Sequence, residues 1–327
     1  MHNTLTLHGA NPENLYRAFG IEMSDRVIDF STNTNILAWP DIKIDIEALA
    51  SHYPDPDCAA LRKVVAEREN VSPSRILFTN GSNEAVFLLS ELFTDSTAIL
   101  QPAYSEYARA FRNLHDVFSI DDGLKFRQLI IINPNNPTGR YISLHDVIAS
   151  SPQTIFIIDE AYRDFLLTCK PERLCDYDNV IILRSLTKIY HLSGARIGYV
   201  IAPEKIIAAL RERQPSWSVN AFAQELALRF LKDDAFLERT REFYLSHTPA
   251  FMRMLREAGC EVMKSDVHYF LVRVNDDEHT IRHLLRAGIA VRHTRNFAGL
   301  DGKYIRIAAR SMEENVRLAE IMKEECR

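Results

Sequence analysis

The chain contains 327 residues, of which 46% are hydrophobic and 25% charged, as expected of a globular enzyme with two domains or one large α/β unit. The formal net charge is -5 and like charges are not clustered, which excludes a basic nucleic-acid-binding surface. No stretch suits a signal peptide or a membrane span, and the five cysteines form neither a CxxC pair nor a metal-ligand cluster. We therefore expect a cytoplasmic protein without a metal site, a disulfide framework or a membrane partner.

The first two thirds of the chain predict alternating helices and strands. Residues 1–40 are polar and irregular, which predicts an extended arm or a few short elements. Beyond them, continuous apolar runs bounded by turn residues are typical of buried parallel strands. Helices are predicted at 59–69, 81–93 and 104–114, and strands at 75–78, 98–100, 129–132, 155–158, 180–183 and 197–201. This alternation predicts a mostly parallel, doubly wound α/β sheet.

The pattern changes near Pro215, after which long amphipathic segments are followed by short strands. Helices are predicted at 221–231, 236–258, 278–287 and 312–325, and strands at 268–274 and 304–308. These elements predict a smaller α+β domain. The predicted organisation is an N-terminal arm at 1–40 that contributes to the small domain and the active site, a large domain at 41–220, and a small C-terminal domain at 221–327.

Polar residues follow two predicted strands at the carboxyl edge, where open α/β sheets bind ligands. Asn136 lies in the turn 133–139, where its amide either binds a ligand oxygen or belongs to a plain tight turn. Asp159 directly follows the run 155–158, where it either pairs with a protonated pyridine nitrogen or caps a helix. Tyr162 either donates to a phenolic oxygen or packs as a half-buried aromatic residue.

A lysine with two nearby hydroxyl groups follows the predicted strand 180–183. Ser185 and Thr187 can donate to phosphate oxygens next to Lys188, and Arg196 can add a charge-assisted bond. The arrangement suits a lysine that holds a cofactor as a Schiff base. Considered alone, however, Lys188 is typical of a solvated surface lysine.

Two further features can contribute to the same site. The helix start at Gly81, Ser82 and Asn83 offers backbone N–H groups to a phosphate, although the motif alone is only a helix start. Tyr104 can stack on a planar ring or pack in the core. Neither a G-x-G-x-x-G fingerprint nor a P-loop is present, so the common nucleotide-binding motifs do not explain the pattern.

Together these motifs resemble those of a known family. Segments 136–139, 159–162 and 185–188, with Arg196, resemble the fold-type I aminotransferases, and most closely the histidinol-phosphate aminotransferase group. Segments 8–11, 29–33, 215–220 and 299–311 are similar to those of the threonine-phosphate decarboxylases of cobalamin biosynthesis within that group. The resemblance implies an α/β, fold-type I pyridoxal 5′-phosphate (PLP) enzyme with a mostly parallel doubly wound sheet in its large domain and a smaller α+β C-terminal domain.

The resemblance also implies a role for each motif residue. Lys188 would hold PLP as a Schiff base and Asp159 would pair with its ring nitrogen, which makes these two the expected catalytic residues. The other implied cofactor-binding residues are Gly81, Ser82, Asn83, Ser185, Thr187 and Arg196 at the phosphate, Tyr104 on the ring, and Asn136 and Tyr162 at the phenolic oxygen. The implied substrate-binding residues are His8, Gly9, Asn33, Asn136, Arg292 and Arg306. Tyr53 would reach the cofactor phosphate of a second subunit, which implies a homodimer.

The implied substrate is a small phosphorylated amino acid, which suits a pocket that contains Arg292, Arg306, Arg310 and His8. Arg310 is either part of this pocket or a surface residue. The implied reaction is decarboxylation of L-threonine O-3-phosphate to (R)-1-amino-2-propanol O-2-phosphate and CO2. One alternative is a class I/II aminotransferase such as histidinol-phosphate aminotransferase, because the same residues can serve both reactions. A second alternative is a non-catalytic protein of the same fold, which the intact Asp159 and Lys188 disfavour.

Overall fold

The structure, a computed structural model, describes residues 9–326 and contains three β-sheets within that range. The strands are β1 (Ile28–Asp29), β2 (Ile76–Thr79), β3 (Thr97–Leu100), β4 (Leu114–Val117), β5 (Gln128–Ile132), β6 (Ile155–Asp159), β7 (Val180–Ser185), β8 (Gly198–Ile201), β9 (Tyr269–Arg273), β10 (Ile289–Ala290), β11 (Arg292–His293) and β12 (Tyr304–Ala308). The helices are α1 (Pro12–Phe19), α2 (Ile46–Ser51), α3 (Ala59–Glu69), α4 (Gly81–Leu92), α5 (Glu106–Ala110), α6 (Ile120–Gly123), α7 (His145–Ser150), α8 (Leu186–Ile189), α9 (Glu204–Arg213), α10 (Ala221–Phe230), α11 (Asp234–Glu257), α12 (Asp277–Arg286) and α13 (Met312–Glu325).

The largest sheet has seven strands in the order β2-β8-β7-β6-β5-β3-β4. Strands β4, β3, β5, β6 and β7 pair in parallel, so the predicted mainly parallel α/β sheet is confirmed. Alternate residues of β5 face opposite sides, Leu129 packing in one core cluster and Ile130 in the other. Both faces of the sheet are therefore covered, which is why its strands read as continuous apolar runs.

Two of the predicted elements are wrong in part. The run 197–201 was expected to be parallel, but β8 pairs antiparallel with both β7 and β2. The reason is that the connection from β7 contains only the single turn α8 and a loop, so the chain reverses at the same edge of the sheet. The predicted helix 104–114 is shorter in the structure, where it is α5, because Leu114–Val117 forms the edge strand β4. This strand was not predicted because its exposed residues His115 and Asp116 interrupt the apolar run.

The segment after α1 connects the C-terminal sheets with the large sheet. Strand β1 pairs in parallel with β10. The Phe30 carbonyl accepts a hydrogen bond at 3.1 Å from the backbone N of Ala308, which lies in β12 of the antiparallel β11-β12-β9 sheet. Five residues further on, Asn35 N donates to the Lys188 carbonyl at 2.9 Å. The N-terminal segment thus lies between the two larger sheets, while the domain limits at residues 40 and 220 remain predictions.

One feature differs from the expectation for the cysteines. Cys260 and Cys326 form a disulfide bond, although the odd cysteine count had favoured none, and Cys58, Cys169 and Cys175 are free thiols. The bond joins the end of α11 to the end of α13, two helices that pack together although they are distant in sequence. Among residues 9–326 no helix is long and apolar enough to cross a membrane, and no group of His, Cys, Asp or Glu is arranged to hold a metal ion.

A buried ion-pair network lies directly behind the carboxyl ends of β6 and β7. Arg184 Nε lies 2.7 Å from Glu160 Oε2, and Arg184 Nη1 donates to Glu69 Oε1 at 3.2 Å. Arg163 lies 3.7 Å from Glu160 and 4.0 Å from Glu69. Burial raises the pKa of Glu160, while Arg184 and Arg163 oppose this rise. The network therefore joins α3 to two neighbouring strand ends.

Replacing Arg184 by methionine should destabilise the fold by about 3–5 kcal/mol, because it removes the arginine that contacts both buried carboxylates, Glu69 and Glu160. The free energy of unfolding in urea measures this loss. The matched control is Lys125→Met, which removes a lysine from an exposed pair with Asp122 and should produce no measurable change. A loss below about 1 kcal/mol for the Arg184 variant would contradict the assigned role of the network.

Candidate active site

Two adjoining cavities lie at the carboxyl edge of the large sheet. The inner cavity is lined by Ser82, Asn83, Tyr104, Ile132, Asn136, Asp159, Ala161, Tyr162, Ser185, Thr187, Lys188 and Arg196. The outer cavity is lined by Gly9, Ala10, Ser31, Thr32, Asn33, Tyr104, Asn136, Tyr162, Lys188, Arg292, Phe297 and Arg306. Tyr104, Asn136, Tyr162 and Lys188 belong to both, so the lysine lies where the two cavities meet.

Lys188 is half-buried on the single helical turn α8. Burial, with the positive charges of Arg196 and Arg306, lowers the pKa of its amine to about 8, and Asp159 opposes this shift. An amine with a pKa near 8 is deprotonated in a useful fraction of molecules at neutral pH, and the neutral amine is the nucleophilic form. The lysine therefore has the reactivity that Schiff-base formation requires.

Asp159 ends β6 and is held by two hydrogen bonds. Its Oδ2 accepts from Tyr107 Oη at 2.9 Å and its Oδ1 accepts from Ala161 N at 3.0 Å. Burial raises the pKa of the carboxyl, whereas the two hydrogen bonds and Lys188 lower it. The alternative role as a helix cap does not apply, because the short turn that follows begins after Tyr162.

A group of donors surrounds the start of α4 at the other end of the inner cavity. Gly81 has φ +70°, a backbone conformation that favours glycine, and a Cβ on it would lie 2.7 Å from Arg196 Nη2. Ser185 Oγ and Thr187 Oγ1 are 2.6 Å apart. Two hydroxyls, a guanidinium and the first backbone N–H groups of a helix form a donor set that fits a phosphate dianion.

Two asparagine side chains, Asn33 and Asn136, form hydrogen bonds near the junction of the two cavities. Asn33 Nδ2 donates to Tyr162 Oη at 3.3 Å, and Asn33 Oδ1 is buried without a hydrogen-bond partner among residues 9–326. Asn136 Oδ1 accepts from Arg306 Nη1, which leaves its Nδ2 as the amide donor. With Tyr104 beside them, these groups fit the phenolic oxygen and planar ring of PLP.

The outer cavity contains two buried arginines that lie directly opposite each other on β11 and β12. Arg292 pairs in register with Arg306, so two positive side chains are neighbours across the ladder. Burial, with the charge of Arg306, lowers the pKa of Arg292 to about 9, and burial lowers the pKa of Arg306. Like charges this close are unfavourable. The cavity is therefore suited to an anionic ligand.

Several side chains and a backbone carbonyl contact the two guanidinium groups. Arg292 Nη2 donates to Asn296 Oδ1 at 2.7 Å, and its guanidinium carbon lies 5.4 Å from the ring centre of Phe297. Arg306 Nη2 donates to the Ser31 carbonyl at 2.8 Å, while Arg306 Nε is buried without a partner in the described residues. A buried donor in this position can be satisfied by a ligand oxygen.

Most of the predicted site residues thus come together, with three exceptions. Tyr53 is 82% exposed and stacks on Trp217 at 4.8 Å, away from both cavities. Arg310 pairs with Glu314 on α13 and lines neither cavity, which agrees with the alternative that it lies outside the pocket. His8 lies outside the described residues, while its neighbour Gly9 lines the outer cavity.

Three contributing residues were missed from the sequence. Tyr107 donates a hydrogen bond to Asp159, Phe297 covers Arg292, and His268 donates a hydrogen bond to the Asn33 carbonyl. Tyr107 and Phe297 stand in stretches whose apolar residues indicate only a core. The short distance from Tyr104 to Tyr107, one helical turn, was the signal that could have placed both tyrosines on one face.

His268 is a fully buried histidine beneath the outer cavity. Its Nε2–H donates to the Asn33 carbonyl at 3.0 Å, and its ring lies 3.9 Å from that of Phe165. Burial lowers the pKa of His268 to about 3, and Arg306 and Lys188 lower it further against the favourable bond to Asn33. The imidazole is therefore neutral in the folded protein, with its proton on Nε2.

The pKa of His268 predicts a loss of stability in acid. Between its ordinary value of 6.5 and about 3, the unfolded chain binds a proton that the folded protein excludes, so the free energy of unfolding falls as the pH falls. His268→Gln keeps an N–H donor and should reduce the slope by up to about 1.4 kcal/mol per pH unit. Urea unfolding at a series of pH values measures the slope. An equal slope in this variant and the wild type would refute the assignment, and His115→Gln, at an exposed position, is the control.

Comparison with known proteins agrees with the geometry of the site. A family model described as aminotransferase class I and II matches residues 116–322. The threonine-phosphate decarboxylase of Salmonella typhimurium is 31% identical over 343 residues, covering 95% of this chain and 94% of that protein. The histidinol-phosphate aminotransferase of Caldicellulosiruptor saccharolyticus is 30% identical over 342 residues, covering 94% and 93%. The crystal structure of L-threonine-O-3-phosphate decarboxylase from Porphyromonas gingivalis is similar with a TM-score of 0.80 and 26% identity, covering 91% of this chain and 99% of that chain.

Proposed function

The chain belongs to the aminotransferase class I and II family and its cofactor is pyridoxal 5′-phosphate, and on that basis we propose that it decarboxylates L-threonine O-3-phosphate in cobalamin biosynthesis. The products are (R)-1-amino-2-propanol O-2-phosphate and CO2, with one proton taken up at the carbon that loses the carboxylate. The observation that carries the proposal is the buried pair Arg292 and Arg306.

Two buried guanidinium groups side by side match a substrate with two anionic groups. L-threonine O-3-phosphate has a carboxylate and a phosphate, so each arginine receives an anion that it can bind through its planar fork. Histidinol phosphate has a phosphate but no carboxylate, so it offers an anion to only one of the two guanidinium groups. The similarity to a threonine-phosphate decarboxylase over 95% of the chain supports the same choice.

Histidinol-phosphate aminotransferase is the second candidate, for two reasons. The relatives with that activity are as similar to this chain as the decarboxylases. In addition, a dicarboxylic amino donor would present two anions to Arg292 and Arg306. The residues around PLP serve both reactions. Which of the two reactions occurs therefore depends on which substrate bond the outer cavity holds perpendicular to the plane of the ring.

When bound, PLP supplies a conjugated ring that accepts the electron pair of the substrate bond that breaks. The residues of the chain divide the remaining tasks. Asp159 holds a proton at the ring nitrogen, while Asn136 and Tyr162 donate to the phenolic oxygen. Lys188, at the junction of the cavities, attaches the cofactor and handles protons next to the reacting carbon. Arg306 binds the α-carboxylate.

The remaining donors hold the cofactor in place. We assign its phosphate to the group at the start of α4, namely Gly81, Ser82, Asn83, Ser185, Thr187 and Arg196. Tyr104 stacks on the ring, and Gly9, Asn33 and Arg292 line the substrate side. A Cβ added to Gly9 would lie 2.8 Å from the Ser31 carbonyl oxygen and 3.2 Å from Arg292 Cδ, so a larger residue there would force these groups apart.

We also propose a homodimer whose partner completes the site. Tyr53 and Trp217 form an exposed aromatic pair, 82% and 48% accessible. Exposed aromatic residues of this kind are enriched in protein interfaces. In the dimer, Tyr53 of one subunit reaches the cofactor phosphate of the other.

The proposed activity is tested with purified enzyme, PLP and L-threonine O-3-phosphate. CO2 and the phosphorylated amino alcohol should form in equal amounts without an added keto acid. Lys188→Ala should lower this rate by at least about 10²-fold, because both the attachment point and the proton-transfer group are lost.

The same preparation should be given histidinol phosphate and 2-oxoglutarate as the competing reaction. Glutamate formation with this pair, together with no CO2 from threonine phosphate, would replace the proposal by the aminotransferase. A wild-type rate in Lys188→Ala would overturn the assignment of the lysine in either case.

The proposed dimer predicts complementation between two defective subunits. Tyr53→Ala should have low activity at limiting PLP and Lys188→Ala should have none. In a mixed dimer, one site combines the intact Lys188 of the first subunit with the intact Tyr53 of the second, so activity should appear on mixing. Activity no greater than the sum of the separate variants, with dimers confirmed by sedimentation, would contradict the placement of Tyr53.

A further inference from the structure

Tyr107 lies behind the inner cavity and lines neither cavity, yet it is bonded to the carboxylate proposed to face the ring nitrogen. Its side chain is fully buried, and its Oη donates to Asp159 Oδ2 at 2.9 Å. Tyr107 therefore has no direct contact with a ligand in either cavity. The hydrogen bond gives the buried hydroxyl a partner, but the choice of an acid as that partner needs a further reason.

The Asp159 carboxylate is fixed from two directions. Tyr107 holds Oδ2 from α5, and Ala161 N holds Oδ1 from the chain that follows β6. A carboxylate has about four acceptor positions, so two remain after these bonds are made. Because one bond reaches each oxygen, both oxygens are held before any ligand binds, and Asp159 itself lines the inner cavity.

The chain that leads into α5 contributes a residue of the cavity wall shortly before Tyr107. Tyr104, which lines both cavities, precedes it by one turn, and Tyr107 N donates to the Tyr104 carbonyl at 3.4 Å. Asn83 Nδ2 reaches Glu106 at 3.5 Å, which connects α5 to the start of α4. The position of the Tyr107 hydroxyl is thus fixed by the same elements that form the walls of the site.

We propose that Tyr107 is a positioning residue that aims the Asp159 carboxylate at the ring nitrogen of the cofactor. It acts through Asp159 and touches neither substrate nor cofactor. The inference rests on the proposed function only where that function places the ring nitrogen at Asp159. It holds equally for a decarboxylase and for an aminotransferase.

The charges around Asp159 agree with this role. Burial raises the pKa of the carboxyl, and the bonds from Tyr107 and Ala161, with the charge of Lys188, counteract the rise. Burial raises the pKa of Tyr107 well above 10, so this hydroxyl remains a donor at every working pH. Without the hydroxyl, Asp159 would lose one of its two fixed bonds and would hold its own proton more tightly, which weakens its attraction for a protonated ring nitrogen.

The test compares the binding of two cofactors to the apoenzyme, PLP and its 1-deaza analogue, in which a C–H replaces the ring nitrogen. Tyr107→Phe should weaken PLP binding by about tenfold or more and leave the affinity for the analogue unchanged. The reason is that the Tyr107 hydrogen bond supports the Asp159 carboxylate, and this carboxylate attracts only a cofactor that has a protonated ring nitrogen. Asp159→Asn should reduce the preference for PLP further, and adding Tyr107→Phe to it should change nothing more.

Tyr16→Phe is the matched control, since it removes a buried hydroxyl that donates to the Leu285 carbonyl at 2.7 Å outside the site. It should not change the ratio of the two affinities. The proposal is overturned if Tyr107→Phe weakens both cofactors equally, which is a merely structural effect, or if it changes neither.

A spectroscopic readout covers the case in which the affinities are hard to measure. The chemical shift of 15N in the ring of labelled PLP reports whether that nitrogen is protonated, and Tyr107→Phe should move it toward the unprotonated value. An unchanged shift in the folded variant would also overturn the proposal. Neither measurement uses substrate, so absence of CO2 release would reject the proposed reaction without affecting this inference.

Discussion

The hydrogen bond from Asn35 N to the Lys188 carbonyl connects the N-terminal segment with the turn that carries the reactive amine. Asn35 is fully buried, and its side chain donates to the Ile189 carbonyl at 2.9 Å and to Thr240 at 2.8 Å. The same segment also bonds the C-terminal sheets through β1 and Phe30, so it connects three distant parts of the chain. The position of Lys188 between the two cavities depends on this attachment.

The arginines of the site affect both its ligand and its lysine. Arg306 and Arg196 lower the pKa of Lys188, while they also provide the positive groups proposed to bind the carboxylate and the cofactor phosphate. Asp159 has the opposite effect on the lysine and is itself kept in place by Tyr107. One set of buried charges therefore controls ligand binding and amine reactivity together, so a change in either is expected to alter both.

The sequence predicted most of the central sheet because its buried strands are continuous apolar runs, and the helices 59–69 and 312–325 were predicted with their observed bounds. It also indicated the residues of the inner cavity, which follow strand ends in chain order. The direction of β8 was not predictable, because apolar runs do not encode direction. The roles of Tyr107 and His268 were hidden for a similar reason: each makes its hydrogen bond to a residue far away in the sequence.

The cross-strand arginine pair has a consequence for the thermodynamics of the whole protein. Two buried guanidinium groups in register repel each other, and this repulsion is part of the free energy of the fold. An anion that neutralises them relieves it, so binding and folding are linked. Inorganic phosphate and sulfate should for this reason act both as competitors of the substrate and as stabilisers of the enzyme, and the ionic composition of a buffer will affect its melting temperature.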